Sequence, residues 1–144
     1  MFQNPDHPDM QTLAEHHDAG THEQIPSTTV ADAMQAFHLN ADPALVQQVT
    51  SQHYERMSPD QLRATAQQFK ENLLSVAGHS PAAAQMASSL DPSSATPAQV
   101  AEAHKFVLKE HPELMRTLII GGGAIAASAF VAFAARRYLE SHGR

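Results

Sequence analysis

An all-α chain is predicted by three observations on its 144 residues. A proline preceded by Ser, Thr, Asp or His recurs at 42–43, 58–59, 80–81, 96–97 and 111–112. Apolar residues between these points fall at spacings of three and four, and no run alternates with period two for long enough to be a strand. A stretch of 18 residues without a charge, 118–135, then precedes a short basic tail. Together they predict short amphipathic helices followed by a single C-terminal transmembrane helix, with an extended N-terminal arm. The expected division is an acidic arm at 1–26, a helical extramembrane region at 27–110, and the transmembrane helix with its tail at 111–144.

The arm has little apolar content, and His7-Pro8, Ala19-Gly20 and Ile25-Pro26 break its periodicity. Such a composition buries too little surface to offset its ordering entropy. From 29 to 39, Val30, Ala33, Met34 and Phe37 share one helical face, and Asn40 ends the helix. Each proline step that follows reads mostly as a helix start. The preceding side chain caps free backbone N–H groups, and proline at the first helical position sacrifices no hydrogen bond.

On that basis helices are expected at 43–56, with Leu45, Val46 and Val49 inward, and at 59–77, with Leu62, Ala66, Phe69, Leu73 and Val76 inward. Gly78 is expected to stop the second of these in a left-handed conformation. A short alanine-rich helix at 81–90 and a linker at 91–94 lead to a helix at 97–110 with Val100, Ala103 and Val107 inward. Gln61 after Ser58 and Gln99 after Thr96 stand where capping boxes place them. Pro112 predicts a break, and from there to about 141 the spacing predicts one helix of roughly 45 Å.

Residues 118–135 suit a hydrocarbon core of about 30 Å, with Arg116 on one side and Arg136, Arg137 and Tyr138 on the other as interfacial anchors. The signal is tempered by composition, because only seven of the 18 are large and apolar. Gly121, Ala124, Ser128, Ala132 and Ala135 fall within an arc of about 80° on a helix, with no large side chain among them. In lipid, close approach across small residues is a main source of helix association, so this face is expected to pack on other transmembrane subunits.

Charge and motifs narrow the function. The net charge is −6, and the first 55 residues carry eight acidic side chains and no Lys or Arg, which argues against a nucleic-acid partner. There is no cysteine, excluding thiolate chemistry and sulfur-ligated metals. His7, His16, His17 and His22 lie among Asp9, Glu15, Asp18 and Glu23, but without a metal-ligand spacing such as His-Glu-x-x-His, so a solvated polar arm is expected instead. The chain lacks the Gly-x-Ser-x-Gly elbow and the phosphate-binding Gly-x-x-x-x-Gly-Lys pattern. Neither catalysis, a cofactor nor a small-molecule substrate is expected.

The expected role is therefore a non-catalytic, single-span accessory or structural subunit. It would stabilise a larger membrane complex, respiratory or photosynthetic assemblies being plausible homes, in contact with the lipid bilayer and with the N-terminal region cytoplasmic. Two other readings fit the same residues. One is a soluble oligomerising or capsid-like component whose C-terminal helix is buried. The other is a tail-anchored adaptor that recruits a cytosolic partner.

Overall fold

Local capping sets the helix starts in the computed structural model, which describes residues 10–121 and 126–141. Eight α-helices and no strand occur among the described residues: α1 Met10–Ala19, α2 Ser27–Asn40, α3 Pro43–Glu55, α4 Pro59–Ser75, α5 Pro81–Ser89, α6 Pro97–Glu110, α7 Pro112–Ile120 and α8 Ala127–Ser141. Ser58, Ser80 and Thr96 each accept a backbone N–H three residues on, at 3.2 Å, and Asp42 Oδ1 accepts Ala44 N–H at 3.1 Å. The capping box is reciprocal at Thr96, whose N–H donates back to Gln99 Oε1 at 3.0 Å. His111 does not cap α7 with its side chain; with φ −142° it makes the break between α6 and α7 expected at the following proline. Helix α4 ends at Ser75, and Gly78 lies in a 3₁₀ turn, Ala77–His79, rather than forming a left-handed stop.

The chain forms two compact units. The first contains residues up to Thr50 and from Ala126 onward, and the second runs from Ser51 to Ile125. The boundary falls inside α3. In the first unit α8 packs against α1 and α2, and the 3₁₀ turn His22–Gln24 touches it as well. Met10, Leu13 and Ala14 of α1 and Val30, Ala33, Met34 and Phe37 of α2 are buried with it. In the second unit α4 packs on α5 and α6, and α6 on α7. Leu62, Ala66, Phe69 and Leu73 of α4 and Val100, Ala103 and Val107 of α6 make its core.

Two expectations are corrected. The arm is not extended throughout: residues 10–19 are helical because Met10, Leu13 and Ala14, at spacings of three and one, find a face of α8 to bury against. By packing, α1 and α8 belong to the same unit.

The second correction concerns 112–141, which is two helices rather than one. Helix α7 stops at Ile120, where Gly121, Gly122 and Gly123 follow, each costing a helix about 1 kcal/mol relative to alanine. Helix α8 begins after Ala126, whose φ of 55° lies in the left-handed region. Among the described residues no helix is long and apolar enough to cross a membrane.

Candidate functional site

Helix α8 is the most unusual element of the chain. Phe130, Val131, Ala132, Phe133, Ala134 and Ala135 are six consecutive residues, which covers every side of a helix, and all six are buried. A helix apolar all round belongs in a core or in lipid. Within its own unit α8 packs on α1, α2 and the 22–24 turn. Phe130 meets the Phe37 ring of α2 edge-on at 6.2 Å. About 160° away round the helix, Ser128 Oγ lies 3.2 Å from His22 Nδ1.

The side of α8 facing α1 and the 22–24 turn carries Ser128, Ala132 and Ala135. Ala135, Ser128, Ala132 and Arg136 fall, in that order, within about 100° of one another. Arg136 and Ser128, two of these four, contact Asp18 and His22, so the small-residue face lies toward α1 and its turn. Ala132 and Ala135 of α8 and Ala14 of α1 have no accessible surface. Small side chains permit that close approach, while polar groups fasten its edges.

Those polar groups form a latch. Arg136 binds Asp18 with two hydrogen bonds, Nε to Oδ1 at 3.2 Å and Nη2 to Oδ2, in the fork geometry that makes arginine–carboxylate pairs directional. His17 lies 5.8 Å from the Phe133 ring, and the Arg137 guanidinium sits 5.9 Å from the same ring. Arg137 also donates to Gln48 Oε1 at 3.2 Å and lies 3.8 Å from Glu140. His16 Nδ1 and Thr21 Oγ1, 2.8 Å apart, tie the end of α1 to the turn that follows.

The residues expected to form one packing face are therefore divided. Ser128, Ala132 and Ala135 lie together on α8, Gly121 is exposed at the end of α7 in the other unit, and Ala124 lies outside the described residues. The expected anchors are also spread: Arg116 is exposed on α7, Arg136 and Arg137 are half-buried in the latch, and Tyr138 is buried. Sequence reasoning passed over Asp18 and His22 as partners of α8. The available signal was the Met10, Leu13, Ala14 spacing, which marks a helix with something to cover.

The second unit holds a buried polar pair. Tyr54 on α3 and His104 on α6 are 0 % and 1 % exposed, with Tyr54 Oη 2.7 Å from His104 Nδ1. The His53 and Phe69 rings pack edge-on against Tyr54 and His104 at 4.9 and 6.3 Å. Burial pushes the Tyr54 phenol well above its usual pKa, because a phenolate there would lose its hydration. His104 is legible as an inward position, lying between Val100 and Val107 on the apolar face of α6.

A shallow cleft of about 290 Å³ is lined by Met86, Ser89, Leu90, Gln99 and Glu102. Its carboxylate is engaged, with Glu102 Oε2 2.9 Å from Lys105 Nζ. At its edge Lys70 donates to the Leu90 carbonyl at 3.1 Å. Asp91, next in the chain, is held below its usual pKa by hydrogen bonds from the Ser93 side chain and backbone. These contacts order the α5–α6 connection. No group of three His, Asp or Glu side chains that could hold a metal ion occurs among the described residues. In comparisons with known proteins, no family model, curated sequence or solved structure matches this chain.

Proposed function

We propose that the chain is a non-catalytic accessory subunit that stabilises a larger protein complex, with α8 as its element of attachment. The observation that carries this reading is the six-residue run 130–135, which is buried on every side of α8. Such a helix tolerates only apolar surroundings, and those can be supplied by this chain or by neighbouring subunits. A membrane complex is the proposed host. Residues 118–135 carry no charge, and Arg116, Arg136, Arg137 and Tyr138 border them as headgroup-level side chains would.

A second reading is favoured by the packing of α8 on α1 and α2: an oligomerising component in which this helix remains inside the fold and other surfaces make the assembly. The two separate on extraction. The full chain, tagged and isolated from its native cells, is followed through an alkaline carbonate wash and a mild-detergent pull-down. Retention in the washed membranes with a stoichiometric set of multi-span partners supports the membrane subunit. Release by the wash, with only further copies of the chain recovered, supports the oligomerising component and overturns the first reading. The full chain is the right probe, because deleting 112–144 would remove α8 and with it the core of the first unit.

A further inference from the structure

The His111 side chain, which leaves the start of α7 uncapped, reaches Ser80 instead. Its Nε2 lies 3.3 Å from Ser80 Oγ, and its Nδ1 lies 3.3 Å from Glu113 Oε2. Each ring nitrogen therefore has one partner, a hydroxyl on one side and a carboxylate on the other. We propose that Ser80 is a nucleophilic serine that takes up the acyl group of an activated ester or thioester, with His111 as its base and Glu113 orienting the imidazole. The inference goes beyond the attachment role proposed above and does not depend on it, because a subunit that accepts one acyl group need not turn over.

The order of the contacts assigns the protons. A neutral imidazole carries one N–H and one lone pair. A carboxylate at Nδ1 selects the tautomer that donates there, which leaves the Nε2 lone pair to accept the Ser80 O–H. This is the order of groups that activates a serine for acyl transfer. The backbone holds both partners in place. Ser80 caps α5, its Oγ accepting the Ala83 N–H at 3.2 Å and its carbonyl the Ala84 N–H at 3.1 Å. His111 is pinned at the break between α6 and α7: its N–H donates to the Val107 carbonyl at 2.8 Å, and its carbonyl accepts the Leu114 N–H at 2.9 Å. The Phe106 ring stands 6.1 Å from the imidazole. All three residues belong to the second unit.

Exposure suits a donor arriving from solution. Ser80 is half-buried, and the His111 and Glu113 side chains are 17 % and 66 % exposed. It also ranks the contributions, since water screens Glu113, which steers the ring more than it stabilises charge. In the transfer, the Oγ proton moves to His111 Nε2 as the bond from Oγ to the carbonyl carbon forms. The ester or thioester bond then breaks, and the leaving oxygen or sulfur keeps the electron pair and takes the proton from Nε2. The products are an O-acyl serine and an alcohol or thiol, with no change of oxidation state. Negative charge on the carbonyl oxygen builds beside the N-terminus of α5, the favourable end of its dipole.

The chain carries its own controls. Ser58 and Thr96 also cap helices before a proline and accept the same backbone N–H at 3.2 Å, but neither hydroxyl is bonded to an imidazole. The test incubates the full chain with p-nitrophenyl acetate and locates the acetyl groups by peptide mass spectrometry over time. General-base assistance predicts acetylation of Ser80 at least about tenfold faster than that of Ser58. His111→Gln, which leaves Ser80 and its cap in place, should bring the Ser80 rate down to that of Ser58. Glu113→Gln, at an exposed side chain whose loss leaves the core intact, should slow Ser80 by a smaller factor. Acetylation of Ser80 no faster than Ser58 in the parent overturns the proposal. So does a Ser80 rate unchanged by His111→Gln or by Glu113→Gln, which would leave Ser80 a helix cap and nothing more.

Discussion

Tyr54→Phe removes a single oxygen from the interior of the second unit and keeps the ring that packs on His53 and His104. The hydroxyl has no accessible neighbourhood of water, and its partner, His104 Nδ1, lies 2.7 Å away on another helix. A typical intramolecular hydrogen bond contributes about 0.5–1.5 kcal/mol net, but leaving a buried partner unsatisfied raises the loss to about 1–3 kcal/mol. At a urea dependence of roughly 2 kcal/mol per molar, the midpoint for this unit should fall by about 1 M with little change in slope. Circular dichroism gives the transition, and exchange protection in α4 and α6 assigns it to the second unit. His104→Leu removes the other partner, so the double variant should lose less than the two single losses combined, by about 1 kcal/mol. A Tyr54→Phe midpoint equal to the parent's, or strict additivity with His104→Leu, would refute the buried pair.

The same phenol predicts an alkaline limit. Its folded pKa is raised, so above about pH 10 the unfolded chain ionises while the folded one stays neutral, and stability falls as pH rises toward the folded value. Denaturant titrations above that pH should show this slope in the parent and a shallower one in Tyr54→Phe. Thr96→Ala removes the Oγ1 that accepts Gln99 N–H, leaving the backbone N–H of residue 96 on Gln99 Oε1, and should cost about 0.5–2 kcal/mol, read as a lower unfolding midpoint and faster exchange in the first turn of α6. Ala126→Gly relieves a left-handed alanine, worth roughly 1–2 kcal/mol, against a glycine entropy cost of roughly 0.5–1, so thermal unfolding should show a small gain in stability. Ala132→Leu adds bulk where no surface is accessible on the side facing α1, and should destabilise the first unit by about 1–3 kcal/mol, with α1 losing protection first.

Capping made much of the fold readable, because a cap is decided within four residues of sequence. Thr96 with Gln99 placed the start of α6, and the proline at 112 placed its end. The arm was harder. Averaged over 26 residues its composition is polar, yet three buried side chains clustered in five residues suffice for a helix when a partner is supplied. That partner is more than a hundred positions away: His22 meets Ser128 at a separation of 106 residues, and Asp18 meets Arg136 at 118. Nothing local to either segment names the other. Tyr54 and His104, 50 residues apart, share that difficulty, although each stands on the inward side of its own helix.

Residues 118–135 show why hydropathy alone does not choose an environment. A bilayer and a packed core make the same demand on residues 130–135, namely apolar atoms on every side. They differ in what they do to the glycines. In hydrocarbon a free backbone N–H or carbonyl costs several kcal/mol, which holds even a glycine-rich helix together, whereas in water three glycines in succession favour a break. The described helices end at Ile120 and resume at Ala127, with a left-handed alanine just before the restart. This arrangement keeps α8 at 15 residues, or roughly 22 Å, the length of a helix that a ten-residue cover and α2 can enclose. Whatever takes α8 out of this fold must therefore replace both the apolar surroundings of Phe130 and the Asp18 carboxylate on Arg136.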